Sequence, residues 1–263
     1  MKATDIILFF AAALVSYLVS GLNPAIILSR AIYHKDIRTC GSGNPGFTNF
    51  KRSFGGRYAW FVFLLDIAKG AVLFLAFGLL FRHFRGEWAT GVAVSAVFAM
   101  LGHAFPVWYG FRGGKGFLVC LTASWFLDWR AGLVGTAVMT VLLLTVRLMS
   151  LATMCGMALS AGVLWLLFAL ADFGWLPAVL FSLCVLFMIL RHHENIVRLC
   201  HGTEKKFYIV GKPKIRARNE KADDSVGHPR FGVLVRATSG GIFTGKRGPA
   251  APAGGYSVSR TAQ

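Results

Sequence analysis

The stretch DIILFFAAALVSYLVSGLNPAIIL, Asp5–Leu28, carries a single charge, at its first residue. A run of about 20 apolar residues is what a helix needs to cross the roughly 30 Å hydrocarbon core of a bilayer. The stretch is read as a membrane span and not as a secretory leader. Only Lys2 is basic ahead of it, and no small-residue cleavage pattern leads into a polar domain. The rest of the chain has the same character. Its 263 residues are 56% hydrophobic and only 15% charged, where soluble domains hold about 45–50% apolar and about 25% charged residues.

Six further apolar runs follow: Tyr58–Phe81, Ala89–Tyr109, Phe117–Leu127, Ala131–Val146, Leu151–Leu170 and Phe173–Leu190. The expected fold is therefore all-α, a polytopic membrane protein with seven transmembrane helices. The fourth run is short, so six crossings is the alternative. Five cysteines are scattered without a CxxC pair, and they are expected to be free thiols packed as small apolar groups.

The net charge is +17, and half of the 28 Lys and Arg lie from Arg191 onward. Such a balance raises the question of a nucleic-acid partner. Lys and Arg clustered beside apolar spans instead mark cytoplasmic loops and anionic lipid, so no nucleic acid is expected. Arg30, Lys35, Arg38, Lys51, Arg52 and Arg57 follow the first run, Arg112 and Lys115 follow the third, and the strongly basic tail follows the seventh. The even-numbered loops hold far fewer cations. The bias puts the N-terminus outside and the C-terminus in the cytoplasm.

Three polar segments interrupt this apolar pattern. They are CGSGNPGFTNFKR (Cys40–Arg52), GHAFPVWYGFRGGKG (Gly102–Gly116) and RHHENIVRLCHGTE (Arg191–Glu204). Each comes after an odd-numbered crossing, so all three lie on the cytoplasmic face and can converge. The first has the parts of a phosphate cradle: glycines that free the backbone, Ser42, Asn44, Thr48 and Asn49 as neutral donors, and Lys51 and Arg52 as charges, with Arg52 able to bind phosphate bidentately. A plain connecting loop would also be rich in Gly and Asn. The second is not a Walker A loop, because Tyr109 and Gly116 stand where that motif needs Gly and Ser/Thr. It still places Lys115 between glycines at a membrane surface, where an ordinary positive-inside anchor would look the same.

In the third segment His192 can orient a hydroxyl or phosphate and Asn195 can donate to an oxygen. A polar helix end with Glu194 and Arg198 paired at i, i+4 is the plainer account. No HExxH accompanies the histidines, so no metal is expected. Asp66 and Lys69, three apart in mid-span, read as a salt bridge supporting packing, with function second. No HxxxxD dyad and no G-x-S-x-G elbow is present, and Cys40 has no evident base. Such a site positions anions without attacking covalently. A transporter of a phosphorylated solute is the rival class, disfavoured because no internal repeat is visible and the polar motifs sit at span ends. A basic membrane scaffold without chemistry would not need Gly/Asn-rich segments on one face.

Together the segments GSGNPGFTN, GFRGGKG and RHHENI, with DIAKG at Asp66–Gly70, resemble in order and spacing the signature motifs of the bacterial acyl-phosphate:glycerol-3-phosphate acyltransferase family, PlsY. The likeness runs from about Ser16 to Glu204. It implies transfer of a fatty acyl group from acyl phosphate to the 1-hydroxyl of glycerol 3-phosphate, giving lysophosphatidic acid and phosphate, with no cofactor. It implies a multi-pass enzyme of the bacterial inner membrane with its site on the cytoplasmic face, within reach of the enzyme that makes acyl phosphate. Motif by motif, it places catalytic roles on Arg52, Lys115, His192 and Asn195. It places substrate-binding roles on Ser42, Gly43, Asn44, Thr48, Asn49, Glu204 and, in the loop after the fifth span, Ser150. Cys40 and Phe47 stand where the family more often has smaller residues, and Phe47 is expected to narrow the cradle. Residues 1–204 form the enzyme domain on this reading, and 205–263 form a basic, Gly-rich, disordered tail without counterpart.

Overall fold

A computed structural model describes residues 2–171 and 174–208. All regular structure among them is helical: α1 Ala3–Gly21, α2 Pro24–Tyr33, α3 Phe47–Phe54, α4 Gly56–Arg85, α5 Trp88–Ala104, α6 Phe117–Leu127, α7 Trp129–Thr145, α8 Met149–Leu170, α9 Leu176–Leu190 and α10 His193–Cys200. Most of the region read as a tail, from residue 209 on, lies outside the described residues.

Four stretches are long and apolar enough to cross a membrane: Ala3–Tyr33, Gly56–Arg85, Trp88–Tyr109 and Met149–Leu170. A fifth is added if Leu176–Leu190 and His193–Cys200, bent by 58°, count as one span. Helix α6 falls short for a geometric reason. At 1.5 Å per residue its 11 residues reach only about 16 Å. Asp128 then caps α7 by accepting from the Arg130 amide at 2.8 Å, so α6 turns into its neighbour without a loop.

Of the four candidate spans, the one that contains α5 is the most enclosed. Its face of Gly, Ala, Ser and Thr lets other helices approach closely, as lipid-embedded bundles require. At Gly102 a Cβ would stand 2.1 Å from the Tyr17 carbonyl oxygen, so no larger residue fits between α1 and α5. Ser16 and Ser95 seal the same contact with a buried hydroxyl pair at 2.8 Å. Phe74, Phe81, Met100, Met157 and Phe181 fill the core around α5. Outward, Ile7, Phe10, Leu64 and Val72 are exposed, an apolar surface suited to acyl chains.

The run Asp5–Leu28 is not one helix. It breaks at Leu22–Asn23, where Pro24 cannot supply an amide to continue the ladder. Lys69 takes up the freed carbonyls, donating to Ser20 O at 2.9 Å and Leu22 O at 3.2 Å. Its ammonium also pairs with Asp66 at 2.8 Å, and both side chains are almost fully enclosed, 10% and 3% exposed. His103 Nδ1 accepts from the same ammonium at 3.1 Å. The expected salt bridge thus also repairs a helix break. Beyond the break, buried Asn23 accepts from the Ile26 amide and donates to the Pro45 carbonyl at 3.1 Å. The first polar segment is hung from that side chain.

Candidate active site

The turn at Cys40–Gly46 is built on Asn49. Its Oδ1 accepts from the Ser42 amide at 3.0 Å, and its Nδ2 donates to Cys40 O at 2.9 Å and Ile37 O at 3.3 Å. Gly41 must be glycine for two reasons. Its φ is +60°, and a Cβ there would stand 2.2 Å from Asn49 Oδ1. The Gly43 amide is spent on Cys40 O at 3.0 Å. Asn49 and Gly43 therefore shape the loop. The groups turned toward the cleft are those of Gly41, Ser42, Asn44 and Thr48, with Lys51 and Arg52 one turn further. Helix α3 starts at Phe47, so its first amides have no intrahelical partner and make an anion-binding end.

The other polar segments are tied to this one through backbone carbonyls. Arg38, held by Asp36, donates to Tyr109 O at 2.7 Å. The loop after α5 folds back on the end of that helix, with the Gly113 and Gly114 amides donating to Ala104 O and His103 O. Arg191 lies 3.4 Å from both Gly113 O and Gly114 O. Lys115 is thereby aimed at α10, where it donates to Asn195 Oδ1.

From Asn195 the network continues. Its Nδ2 donates to Glu204 Oε1 at 2.7 Å, Ser150 Oγ donates to the same oxygen at 2.9 Å, and Arg198 Nε donates to Oε2 at 2.7 Å. Ser150 sits in the first turn of α8 and not in the preceding loop. Glu194 pairs with Arg198 at 3.8 Å, as the i, i+4 spacing predicts, and Glu204 binds the same guanidinium more closely, at 2.7 Å.

The three segments meet at one cleft of about 470 Å³. Arg52, Lys115, His192, Asn195, Ser42, Asn44, Thr48, Asn49, Ser150 and Glu204 line it, and Gly43 does not. Lys51, the second cation of the first segment, joins them, as do Asp66, His103 and Arg198. Arg198 carried one signal in the sequence, a cation one helical turn from Glu194. The cleft has an apolar arm bordered by Trp60, Phe63, Phe117, Leu118, Met139 and Leu143. Trp60 is 49% exposed, so the arm reaches the lipid-facing surface.

Electrostatics follow from this enclosure. Burial, reinforced by the Arg198 charge, lowers the Lys115 pKa to about 8. Burial also lowers His192 to about 4, leaving it neutral. His192 Nδ1 lies 2.8 Å from Met188 O, and a carbonyl only accepts, so Nδ1 carries the proton and Nε2 keeps its lone pair. Burial pushes Glu204 upward, but hydrogen bonds from Arg198, Asn195 and Ser150 outweigh it and hold the carboxylate ionised. One fixed anion thus faces Arg52, Lys115 and Arg198. Among the described residues no three His, Cys, Asp or Glu side chains converge as metal ligands, and no cysteine borders the cleft.

A family model for glycerol-3-phosphate acyltransferase matches residues 10–202. A glycerol-3-phosphate acyltransferase from Cereibacter sphaeroides is 38% identical over 196 residues, covering 74% of this chain and 87% of the relative. Among solved structures, PlsY, an integral membrane glycerol 3-phosphate acyltransferase, in its glycerol 3-phosphate form superposes with a TM-score of 0.67 at 26% identity, covering 76% of this chain and 96% of that one. Its lysophosphatidic acid form gives 0.63 at 25% identity, covering 76% and 95%.

Proposed function

The chain belongs to the glycerol-3-phosphate acyltransferase family, and from that membership we propose that its donor is an acyl phosphate and that transfer is direct. The protein is an integral membrane acyltransferase that acylates glycerol 3-phosphate in phospholipid synthesis. The observation that carries the donor assignment is the composition of the cleft. Arg52, Lys115 and Arg198 gather beside an apolar arm, and among the described residues no cysteine lines the cleft and no serine is hydrogen-bonded to a histidine. Two phosphates and one acyl chain match those features. Acyl phosphate is already activated, so no acyl-enzyme is needed.

The proposed step is a single displacement. The 1-hydroxyl oxygen of glycerol 3-phosphate bonds to the acyl carbonyl carbon, the bond from that carbon to the phosphate oxygen breaks, and phosphate leaves. The hydroxyl proton goes to the departing phosphate. His192, at about 4, is a weaker base than a phosphate with a second pKa near about 6. Its Nε2 lone pair instead accepts from the hydroxyl and aims it. Orientation of this kind supplies roughly 7–11 kcal/mol. Chain burial in the arm adds about 0.8 kcal/mol per CH₂.

Topology enters the proposal as well. An odd number of crossings, seven when the short α6 and α7 each pass through the bilayer beside α1, α4, α5, α8 and α9, with the N-terminus outside, puts the cleft at the cytoplasmic rim of a bacterial inner membrane. A soluble producer of acyl phosphate can deliver there. The distribution of Lys and Arg supports this orientation.

The deciding experiment is phosphate release from palmitoyl phosphate by purified protein, with and without glycerol 3-phosphate. Stoichiometric lysophosphatidate and phosphate are expected. Turnover only with acyl-CoA, or a trapped acyl-enzyme, overturns the proposal. The pH profile adds a check. Phosphate binding requires Lys115 in its charged form, so kcat/KM falls as pH rises past about 8. A bound phosphate favours the ammonium, so the fall in kcat comes at higher pH than the fall in kcat/KM. Lys115→Arg moves the alkaline limb upward in whatever activity it retains. A limb that stays in place assigns the titration to another group.

A further inference from the structure

Lys205–Tyr208, which the sequence places in the tail, run along the mouth of the cleft. Arg52 Nη2 donates to Lys205 O at 2.9 Å and lies 3.3 Å from Lys206 O. Lys51 Nζ donates to Tyr208 O at 2.7 Å and stands 4.5 Å over the Phe207 ring. The Phe207 amide donates to Arg147 O at 2.7 Å. Arg147, between α7 and α8, has a φ of 62°, a conformation that a residue with a Cβ adopts only when its surroundings hold it there. Its guanidinium lies 5.8 Å from the centre of the Tyr208 ring.

Two walls of the apolar arm meet at this segment. One is aromatic and comes from α3 and α4: Phe47 contacts Trp60 at 5.2 Å and Phe63 at 5.4 Å between ring centres. The other comes from α7 and α8, with Met139, Leu143 and Met149. Phe207 lies 6.0 Å from Phe47 and is pinned by its amide to the α7–α8 turn. It is 7% exposed and borders the cleft next to Arg52. No other apolar side chain of the segment turns inward, since Tyr208 is exposed. A phenyl ring there has no phosphate chemistry to offer. It offers dry surface beside the cations, where an acyl chain leaves its carboxyl end.

We propose that Phe207 is a specificity-determining residue for the acyl donor, closing the arm around the first carbons of the chain. The match to the family model ends at residue 202, so this wall is contributed from beyond it. The inference rests on the donor reading given above, which fixes the chain as the occupant of the arm.

The test uses full-length protein with Phe207→Ala and Phe207→Leu, assayed with palmitoyl phosphate and glycerol 3-phosphate. Phe207→Ala is expected to raise the KM for palmitoyl phosphate about tenfold while the KM for glycerol 3-phosphate stays within about twofold. Phe207→Leu, which keeps apolar volume, is expected to restore most of the donor affinity. A merely structural ring would lower the melting temperature and the active fraction without splitting the two KM values. Unchanged donor KM, or an equal rise in both, overturns the proposal. Wild-type turnover of palmitoyl phosphate is the separating control. If it is absent, the donor assignment falls, and the same comparison with palmitoyl-CoA still supports or overturns the role of Phe207. If Phe207→Ala does not fold, Phe207→Leu against Phe207→Trp gives the same KM comparison.

Discussion

Lys115→Ala lowers the transfer rate by about 10²–10³-fold, the loss typical of removing one preorganised donor from developing negative charge. A lysine held between Gly114 and Gly116 by the folded-back loop and turned onto Asn195 has little water to share its charge. Its pKa, lowered to about 8, records that the folded protein disfavours the ammonium. A lysine whose folded pKa lies below its unfolded value costs stability wherever it stays charged. Removing it therefore leaves the melting temperature unchanged or higher, while Glu204 keeps Arg198, Asn195 and Ser150 as partners. Activity lost together with stability would mean that Lys115 is structural. Activity within about threefold of wild type would remove it from the chemistry. Arg52→Ala belongs with this test and is expected to lose activity by a similar factor. Its guanidinium also holds the 205–206 carbonyls, so that variant shifts donor binding as well.

Asp66→Asn has the next largest effect, and it falls on stability. The carboxylate is the counter-charge of an ammonium enclosed within the bundle. Leaving a buried charge unpaired costs about 3–5 kcal/mol. For a domain of this size that corresponds to a fall in Tm on the order of 10 °C. The measurement is thermal unfolding of detergent-solubilised protein. Asp66→Asn combined with Lys69→Met is expected to recover only part of the loss, because the Ser20 and Leu22 carbonyls then go without a donor. A fall of less than about 2 °C for Asp66→Asn would show that His103 and the carbonyls suffice to hold the ammonium.

Much of this was written locally. The cradle, Lys115, His192, Asn195 and Glu204 stand in segments whose Gly, Asn and charge contrast with the apolar runs around them, and their shared position after odd-numbered runs argues for convergence. Ser150 needed the family resemblance, since a lone serine beside an apolar helix has no pattern of its own. Helical spacing marks the Glu194–Arg198 pair, which forms at 3.8 Å, but not the closer Glu204, which reaches the same guanidinium across a turn that no periodicity encodes. Asn49 and Gly43 looked like phosphate donors because their types fit. Only geometry shows the Asn49 side chain and the Gly43 N–H bonded inside the loop. The helix break at Leu22–Asn23 was signalled by the Asn-Pro pair, yet the hydropathy of the stretch conceals it. Phe207 was hidden because its partners, Phe47 and Arg147, are remote in sequence.

Lys69 shows what such a repaired break demands of its residue. Four acceptors, Ser20 O, Leu22 O, Asp66 Oδ1 and His103 Nδ1, surround one nitrogen at 2.8–3.2 Å. A tetrahedral ammonium can point its three protons into that ring of oxygens and nitrogen, as a tripod stands on uneven ground. A flat guanidinium cannot. Swapping one basic residue for the other at this point would keep the charge and lose the joint, and the loop hung from Asn23 would drift with it.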